Sequence, residues 1–197
     1  PTPVGPIWDG EVSAISFKSD GELWAWSDRK AGPLIVDLTT GAGERANQSS
    51  EADYSQFAIE AMTWDNQDQK LYLAENSAGT GETSGQHSTL YSWNSSDGAI
   101  NVCPLKNADG EFVIGQIEAL DMADNNVLLF AVHEDNDTNI YGWRVEDGGC
   151  PVLPSDNGLG NIVLKYDTEV YFDIEAISWP KSCNIEEVIA QQGLEAE

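Results

Sequence analysis

The sequence predicts an all-β protein built from propeller-type blades, in which each blade is a sheet of four antiparallel strands. A six-residue motif recurs four times, as VSAISF, IEAMTW, IEALDM and IEAISW, and its alanine falls at positions 14, 61, 119 and 176. Successive alanines are therefore 47, 58 and 57 residues apart. This spacing is close to the roughly 40 to 50 residues of a four-stranded blade with loop insertions.

The strands of each unit follow the motif in the same order. The motif predicts the innermost strand, at residues 12–17, 59–64, 117–122 and 174–179, and second strands follow at 23–25, 71–73 and 128–130. Third strands are predicted at 34–38, 90–93 and 140–143, and outer strands near 100–103 and 150–153. Asp, Asn and Gly between these segments supply hairpin turns. Residues 11–180 thus contain three blades and the first strand of a fourth.

The two ends of the chain depart from this repeat. Residues 1–10 begin with PTPVGP, which indicates a linker or a processed, mature start. Beyond the last motif, Asn184 predicts the cap of a short helix over 185–192, with Glu186 and Glu187 in its first turn and Gly193 as its stop. Residues 181–197 therefore form a short helix and a tail.

The charge balance limits the classes of partner. With 34 Asp and Glu against 9 Lys and Arg, the formal net charge is −25. Such a field repels phosphate backbones and anionic headgroups, so nucleic-acid binding is disfavoured, and the sequence lacks an apolar stretch for membrane insertion. Cations are the natural counter-species. The charge therefore favours either simple solubility or dedicated Ca²⁺ sites.

Three cysteines indicate an exported protein with a disulfide. Cys103 and Cys150 each precede a proline at comparable places in two units, and Cys183 follows the last motif. A CxxC pair or a Cys/His cluster is absent, so zinc is disfavoured. We expect Cys150 to pair with Cys103 or with Cys183, leaving one thiol, in an extracellular or cell-surface protein.

Acidic residues of the motif form the first candidate metal site. Glu60, Glu118 and Glu175 occupy the same motif position, and Asp173 lies two residues before the last of them. On innermost strands these carboxylates would converge near one end of the axial channel, where a Ca²⁺ ion could offset their repulsion. Alternatively, each carboxylate accepts hydrogen bonds from backbone N–H groups.

A loop in the third unit forms the second candidate metal site. Asp135, Asp137 and Asn139 have the alternating spacing that opens an EF-type calcium loop. The glycine and the terminal glutamate of such a loop are missing, which favours an Asx-rich hairpin turn. Both interpretations remain open for this loop.

The segment 172–177, FDIEAI, together with turns such as DLTTG at 37–41, resembles repeats of secreted bacterial propeller-like surface proteins. It is more distantly similar to propellers of the phytase-like esterase and SdiA-regulated groups. Those families imply a channel-facing, calcium-associated role for Asp173 and Glu175, and by repeat for Glu60 and Glu118. The first unit departs from the pattern because Ser13 replaces the acid, and the acidic phosphate site of the phytase group is not recognisable.

Sequence motifs of catalysis are absent, so the sequence predicts a module rather than an enzyme. The chain has no G-x-S-x-G, H-E-x-x-H, P-loop or G-x-G-x-x-G motif. Its two histidines, His87 and His133, lie at or near the predicted loop between the second and third strands and are expected to be exposed. We expect a non-catalytic extracellular or cell-surface binding or structural module, such as part of an adhesin or filament, with protein partners, self-assembly or a glycan ligand. The alternative is a phytase-like propeller hydrolase.

Overall fold

The described residues of the protein form three four-stranded antiparallel sheets, which we name blades 1, 2 and 3. The computed structural model describes residues 5–7, 11–27, 32–46, 54, 57–75, 87–134, 137–168 and 174–192. Blade 1 consists of β1 (Ala14–Phe17), β2 (Leu23–Ser27), β3 (Gly32–Val36) and β4 (Gly43–Arg45). Blade 2 consists of β5 (Ile59–Trp64), β6 (Lys70–Glu75), β7 (Thr89–Asn94) and β8 (Ile100–Pro104).

Blade 3 closes with a strand that the sequence did not predict. It consists of β10 (Gln116–Ala123), β11 (Val127–Glu134), β12 (Asp137–Arg144) and β14 (Ile162–Asp167). The outer strand predicted near 150–153 is wrong, because β13 (Val152–Leu153) instead pairs in parallel with β9 (Lys106–Asn107). The disulfide at Cys150 holds this segment on the rim of blade 2, and the turn-rich residues 154–161 then lead back to blade 3.

The motif forms the innermost strand in three of its four copies. β1, β5 and β10 lie side by side, and each pairs with the second strand of its own blade. The copy at 174–179 is not a strand, so the prediction of a strand there is wrong. This segment still lies against blade 3, because the Trp179 N–H donates to Asp121 and the Ile174 carbonyl contacts His133.

Alternating side chains give every blade two apolar faces. Trp24 and Trp26 of blade 1 pack against Met62 and Trp64 of blade 2 in one core cluster. A second cluster joins the opposite face of blade 2 to blade 3 and includes these buried residues: Ala61, Tyr72, Ala74, Leu120, Leu128 and Phe130. Large flat rings fill the space between adjacent sheets, as with Trp24 and Trp64, whose ring centroids are 4.9 Å apart.

The outward face of blade 3 is covered by the C-terminal helix. Helix α1 (Ile185–Gln192) places Ile185 and Ile189 against Val127 and Leu129 of β11. The helix has the predicted boundaries, and the Asn184 side chain accepts from the Glu186 N–H at 3.1 Å, as an N-cap does. The helix and the adjoining segment 174–179 therefore stand where a fourth blade would pack.

Turn-to-turn hydrogen bonds connect one blade to the next. Ser19, in the first hairpin of blade 1, donates its backbone N–H to Asp68 in the first hairpin of blade 2 at 3.0 Å. In the same way, the Asn66 amide donates to the Ala123 carbonyl of blade 3 at 2.7 Å. The first hairpin of blade 3 continues the series, because Asp124 accepts the Ile185 N–H of α1 at 3.0 Å. We call this series the turn ladder.

Truncating the buried helix residue tests the capping role of α1. Ile185 is fully buried against blade 3, so Ile185→Ala should reduce the free energy of unfolding by about 2 to 5 kcal/mol. Gln191→Ala, on the exposed side of the same helix, serves as the matched control. Urea unfolding followed by tryptophan fluorescence measures both, and equal midpoints for the two variants would contradict the packing described here.

The ion pair at the start of α1 predicts a pH-dependent stability. Both terminal nitrogens of Arg144 donate to the Glu186 carboxylate at 2.6 Å. These bonds hold the Glu186 pKa below its usual 4.5, so the stabilisation is complete above that pH and is lost as pH falls through the folded-state pKa. Glu186→Gln should therefore melt lower than wild type at pH 7 and equally at about pH 2. The control Glu187→Gln, one residue along, should show a smaller difference at pH 7.

Candidate functional site: an axial cleft

The innermost strands surround a cleft of about 540 Å³ at one end of the blade stack. Its lining includes Ser16, Thr63, Asp121 and Ser178, which all lie two residues after the motif alanine. All four repeat units thus contribute an equivalent residue, although the fourth unit is not a strand. We call this feature the axial cleft.

Asp121 holds the cleft together. Its Oδ1 accepts from the Met122 N–H at 2.8 Å and lies 3.5 Å from the Thr63 hydroxyl, and its Oδ2 accepts the Trp179 N–H. One carboxylate therefore joins the second, third and fourth repeat units. These bonds are charge-assisted, which makes them stronger than bonds between neutral groups.

The other three aspartates of the cleft also accept hydrogen bonds from the protein. Asp65 Oδ1 accepts from the Gln69 and Lys70 N–H groups at 2.7 and 3.2 Å. Asp68 and Asp124 accept two of the bonds of the turn ladder. Each carboxylate thus shapes a turn or a junction between repeats.

The Lys18 side chain makes cation–π contacts with two tryptophan rings in the cleft. The Lys18 ammonium lies 4.7 Å from the ring centroid of Trp64 and 5.2 Å from that of Trp24. It also lies 3.8 Å from the Glu22 carboxylate. The negative faces of the two indole rings and the nearby carboxylate favour a positive charge at this position.

One wall of the cleft is an exposed apolar surface. Phe17 lines the cleft and is 59% exposed, and its neighbour Ile15 on the same face of β1 is 57% exposed. The equivalent residues of blade 2, Met62 and Trp64, are 5% and 4% exposed because blade 1 covers them. Blade 1 has no described blade on this side. We call the Ile15 and Phe17 surface the open face.

A smaller groove of about 290 Å³ lies on the rim between blades 2 and 3. Cys103 lines it, and the Cys103–Cys150 disulfide joins β8 to the segment before β13. Tyr72 also lines it, and burial, with the Asp65 charge as a second cause, raises the pKa of its hydroxyl to about 12. The free thiol belongs to Cys183, which is exposed and lines the axial cleft.

The motif glutamates lie in different local settings. Among the described residues, no group of three or more carboxylate, imidazole or thiol side chains is placed to hold a metal ion. Glu60 and Glu118 lie at register shifts in β5 and β10, where regular strand pairing is interrupted. Glu175 is exposed in the segment that is not a strand, and Asp173 lies outside the described residues. Metal binding by Glu60, Glu118, Glu175 and Asp173 therefore stays a prediction.

The calcium-type loop lies only partly within the described structure. Asp137 is exposed at the start of β12, and Asn139 is 6% exposed two residues later. The amide oxygen of Asn139 has no hydrogen-bond donor in the part of the chain that the structure describes. Asp135 falls outside the described residues. The loop therefore offers one unsatisfied oxygen, which a cation or a water molecule would satisfy.

The two histidines occupy different environments. The exposure expected for His133 is wrong, because this residue, near the end of β11, is 4% exposed, with Nδ1 3.0 Å from the Thr138 hydroxyl. His87 stacks on Phe112, with ring centroids 4.1 Å apart. Both histidines are absent from the lining of the axial cleft. Asp121 was not singled out from the sequence. It lies two residues after the motif alanine Ala119; the same position is polar in all four copies of the motif, and this recurrence could have marked it.

Comparisons with known proteins give likeness at the level of shape only. No protein-family model matches the sequence, and no curated protein sequence matches it. Structures similar to part of the chain include the WD40 repeats of RRP9, with 9% identity, 72% of this chain, 38% of that chain and a TM-score of 0.45. The Dos1 propeller is 14% identical over 80% of this chain and 34% of its own, with a TM-score of 0.41. The GH74 xyloglucanase from Xanthomonas campestris is 10% identical over 62% of this chain and 17% of its own, with a TM-score of 0.41.

The chain therefore spans well under two thirds of each of these structures. The blade architecture itself follows from the strand order and from the packing of the sheets. A search of the described helices finds none that is both long and apolar enough to span a membrane.

Calcium binding stays a prediction, now centred on the loop of Asp135, Asp137 and Asn139. We expect millimolar CaCl₂ to raise the melting temperature above that in NaCl of equal ionic strength, because a ligand bound only to the folded state stabilises it. Asp137→Asn should abolish the difference, whereas Glu60→Gln should leave it unchanged. Identical melting of wild type in the two salts would show that these acidic groups are simply solvated.

Proposed function

We propose that the protein is an exported, non-catalytic binding module of a cell-surface or extracellular assembly, such as an adhesin or a filament, and that its ligand enters the axial cleft. The observation that carries this proposal is the open face of the cleft. Two large apolar side chains, Ile15 and Phe17, stay more than half exposed where the equivalent residues of blade 2 are buried. Exposed apolar surface beside polar groups is typical of binding sites.

The arrangement of the cleft favours binding over catalysis. All four of its aspartates accept hydrogen bonds that fix turns or repeat junctions, so they serve the structure of the site. A general base needs a titratable group within reach of a substrate proton. The histidine side chains lie elsewhere, in β11 and against Phe112.

The Cys103–Cys150 disulfide supports export. Its Cα atoms are 5.3 Å apart, within the usual range for a disulfide, and it joins the rims of two neighbouring blades. Disulfides that staple a fold persist in oxidising compartments and are rare in the cytosol. With a net charge of −25, the protein also stays soluble and dispersed outside the cell.

The hydrolase alternative is tested first. Release of phosphate from phytate and of nitrophenol from p-nitrophenyl acetate, each with millimolar calcium, should not exceed that of a heat-denatured control. Turnover that falls in the Ser178→Ala variant, which changes an exposed cleft residue, would instead support a phytase-like enzyme.

Binding is tested with immobilised glycan and peptide arrays. We expect at least one saturable interaction that Phe17→Ser weakens, because the ring supplies the exposed apolar wall. Leu38→Ser, which changes another exposed apolar residue in the turn after β3, should leave binding unchanged. Arrays on which wild type and Phe17→Ser bind alike would contradict the role of the cleft.

A further inference from the structure

We propose that the axial cleft binds a basic, extended segment of a partner protein, with apolar side chains against the open face and lysine or arginine side chains toward the cleft carboxylates. This inference rests on the proposed binding function and names the chemistry of its partner. Three features of the structure support it: the width of the open face, the cation–π contacts of Lys18, and the charge of the cleft.

The open face has the width of about one strand. The outer part of the same sheet face is already covered, because Ala25, Leu34 and Val36 are buried under Ile7 and Val12. Ile15 and Phe17, on the innermost strand, remain exposed. A whole additional blade would need the outer strands as well, so the surface fits a single extended segment. Alternate residues of such a segment would face the two side chains of β1.

The other face of the cleft supplies a second wall. Ser178, Trp179 and Lys181 line it from the segment that follows blade 3, while Phe17 lines it from blade 1. The cleft is therefore a gap between the first and last repeat units. Its volume of about 540 Å³ falls within the range of pockets that hold a few residues or a small ligand.

Lys18 shows which charge this region accepts. Its ammonium lies over two indole rings, 4.7 and 5.2 Å from their centroids, and beside the Glu22 carboxylate. The Lys18 side chain is thus the cation that these rings and the Glu22 carboxylate attract. A basic side chain of a partner that bound beside Lys18 would likewise lie near an aromatic ring and carboxylates, which here are the partly buried Trp179 ring and the cleft aspartates.

Two cleft carboxylates keep an oxygen for such a partner. Asp65 and Asp124 make their hydrogen bonds through Oδ1, and Oδ2 of each has no bond to the described residues. The cleft contains four aspartates against two lysines, Lys18 and Lys181. The net charge of −25 adds a long-range attraction for basic segments and a repulsion for acidic ones.

The test uses fluorescein-labelled hexapeptides and fluorescence anisotropy with the full chain. A peptide of alternating lysine and leucine should bind more tightly than the matched peptides with glutamate or serine in place of lysine. Phe17→Ser should weaken binding of the lysine peptide about tenfold, the effect of losing a central apolar contact. Leu38→Ser is the control for loss of an exposed apolar residue, and circular dichroism checks the fold of each variant.

A pair of charge variants separates cleft binding from general attraction. Lys181→Glu and Lys165→Glu change the net charge equally, but Lys181 lines the cleft and Lys165 lies on the outer strand β14. We expect Lys181→Glu to raise the affinity for the lysine peptide several-fold more than Lys165→Glu does. Equal effects of the two variants, or equal binding by wild type and Phe17→Ser, would overturn the inference.

The outcomes also separate this inference from the proposed function. Phe17-dependent binding of a glycan or of the serine peptide, without preference for lysine, would overturn the basic partner and keep the binding module. Loss of Phe17 dependence for every probe would overturn both proposals.

Discussion

The structure depends on the burial of apolar surface on both faces of every blade. Side chains alternate along each strand, so a sheet that places tryptophans on one side and leucines on the other cannot leave either side in water. Blade 2 satisfies this need fully, because blades 1 and 3 cover its two faces. A stack of blades that does not close into a ring must instead cover its terminal faces with other elements.

The two terminal faces are covered to different extents. On blade 3, α1 buries Ile185 and Ile189 and also receives the last bond of the turn ladder. The direction of donation reverses at this last step. The hairpins of blades 2 and 3 accept from the preceding blade, whereas the helix N-terminus donates a free backbone N–H to the Asp124 carboxylate. On blade 1, Ile7 and Val12 cover only the outer strands. The open face, at Ile15 and Phe17, is the part of blade 1 that the described residues leave uncovered.

Local pattern was enough to predict much of this architecture. The motif alanines located three inner strands, and Asn184 with its following glutamates located α1, because both depend on neighbours in sequence. The outer strand of blade 3 was missed, since the disulfide and the β9–β13 pairing that redirect residues 150–153 are long-range. The setting of the motif glutamates also depends on strand pairing. Glu60 and Glu118 lie at register shifts, which the sequence of one strand does not reveal.

The Cys103–Cys150 bond also sets how the molecule responds to mechanical load. It fastens the rim of blade 2 to the segment that leads into the last strand of blade 3, across 47 residues of chain. Blade 1 has no such fastening among the described residues and is held by ring packing, by strand-to-strand contact and by the Ser19–Asp68 bonds. A pulling force applied at the amino-terminal side would therefore peel blade 1 away first. While the bond is oxidised, residues 103–150, which include β10, β11 and β12, stay closed in a loop that a pull cannot extend, so an anchored chain of this design would yield in steps.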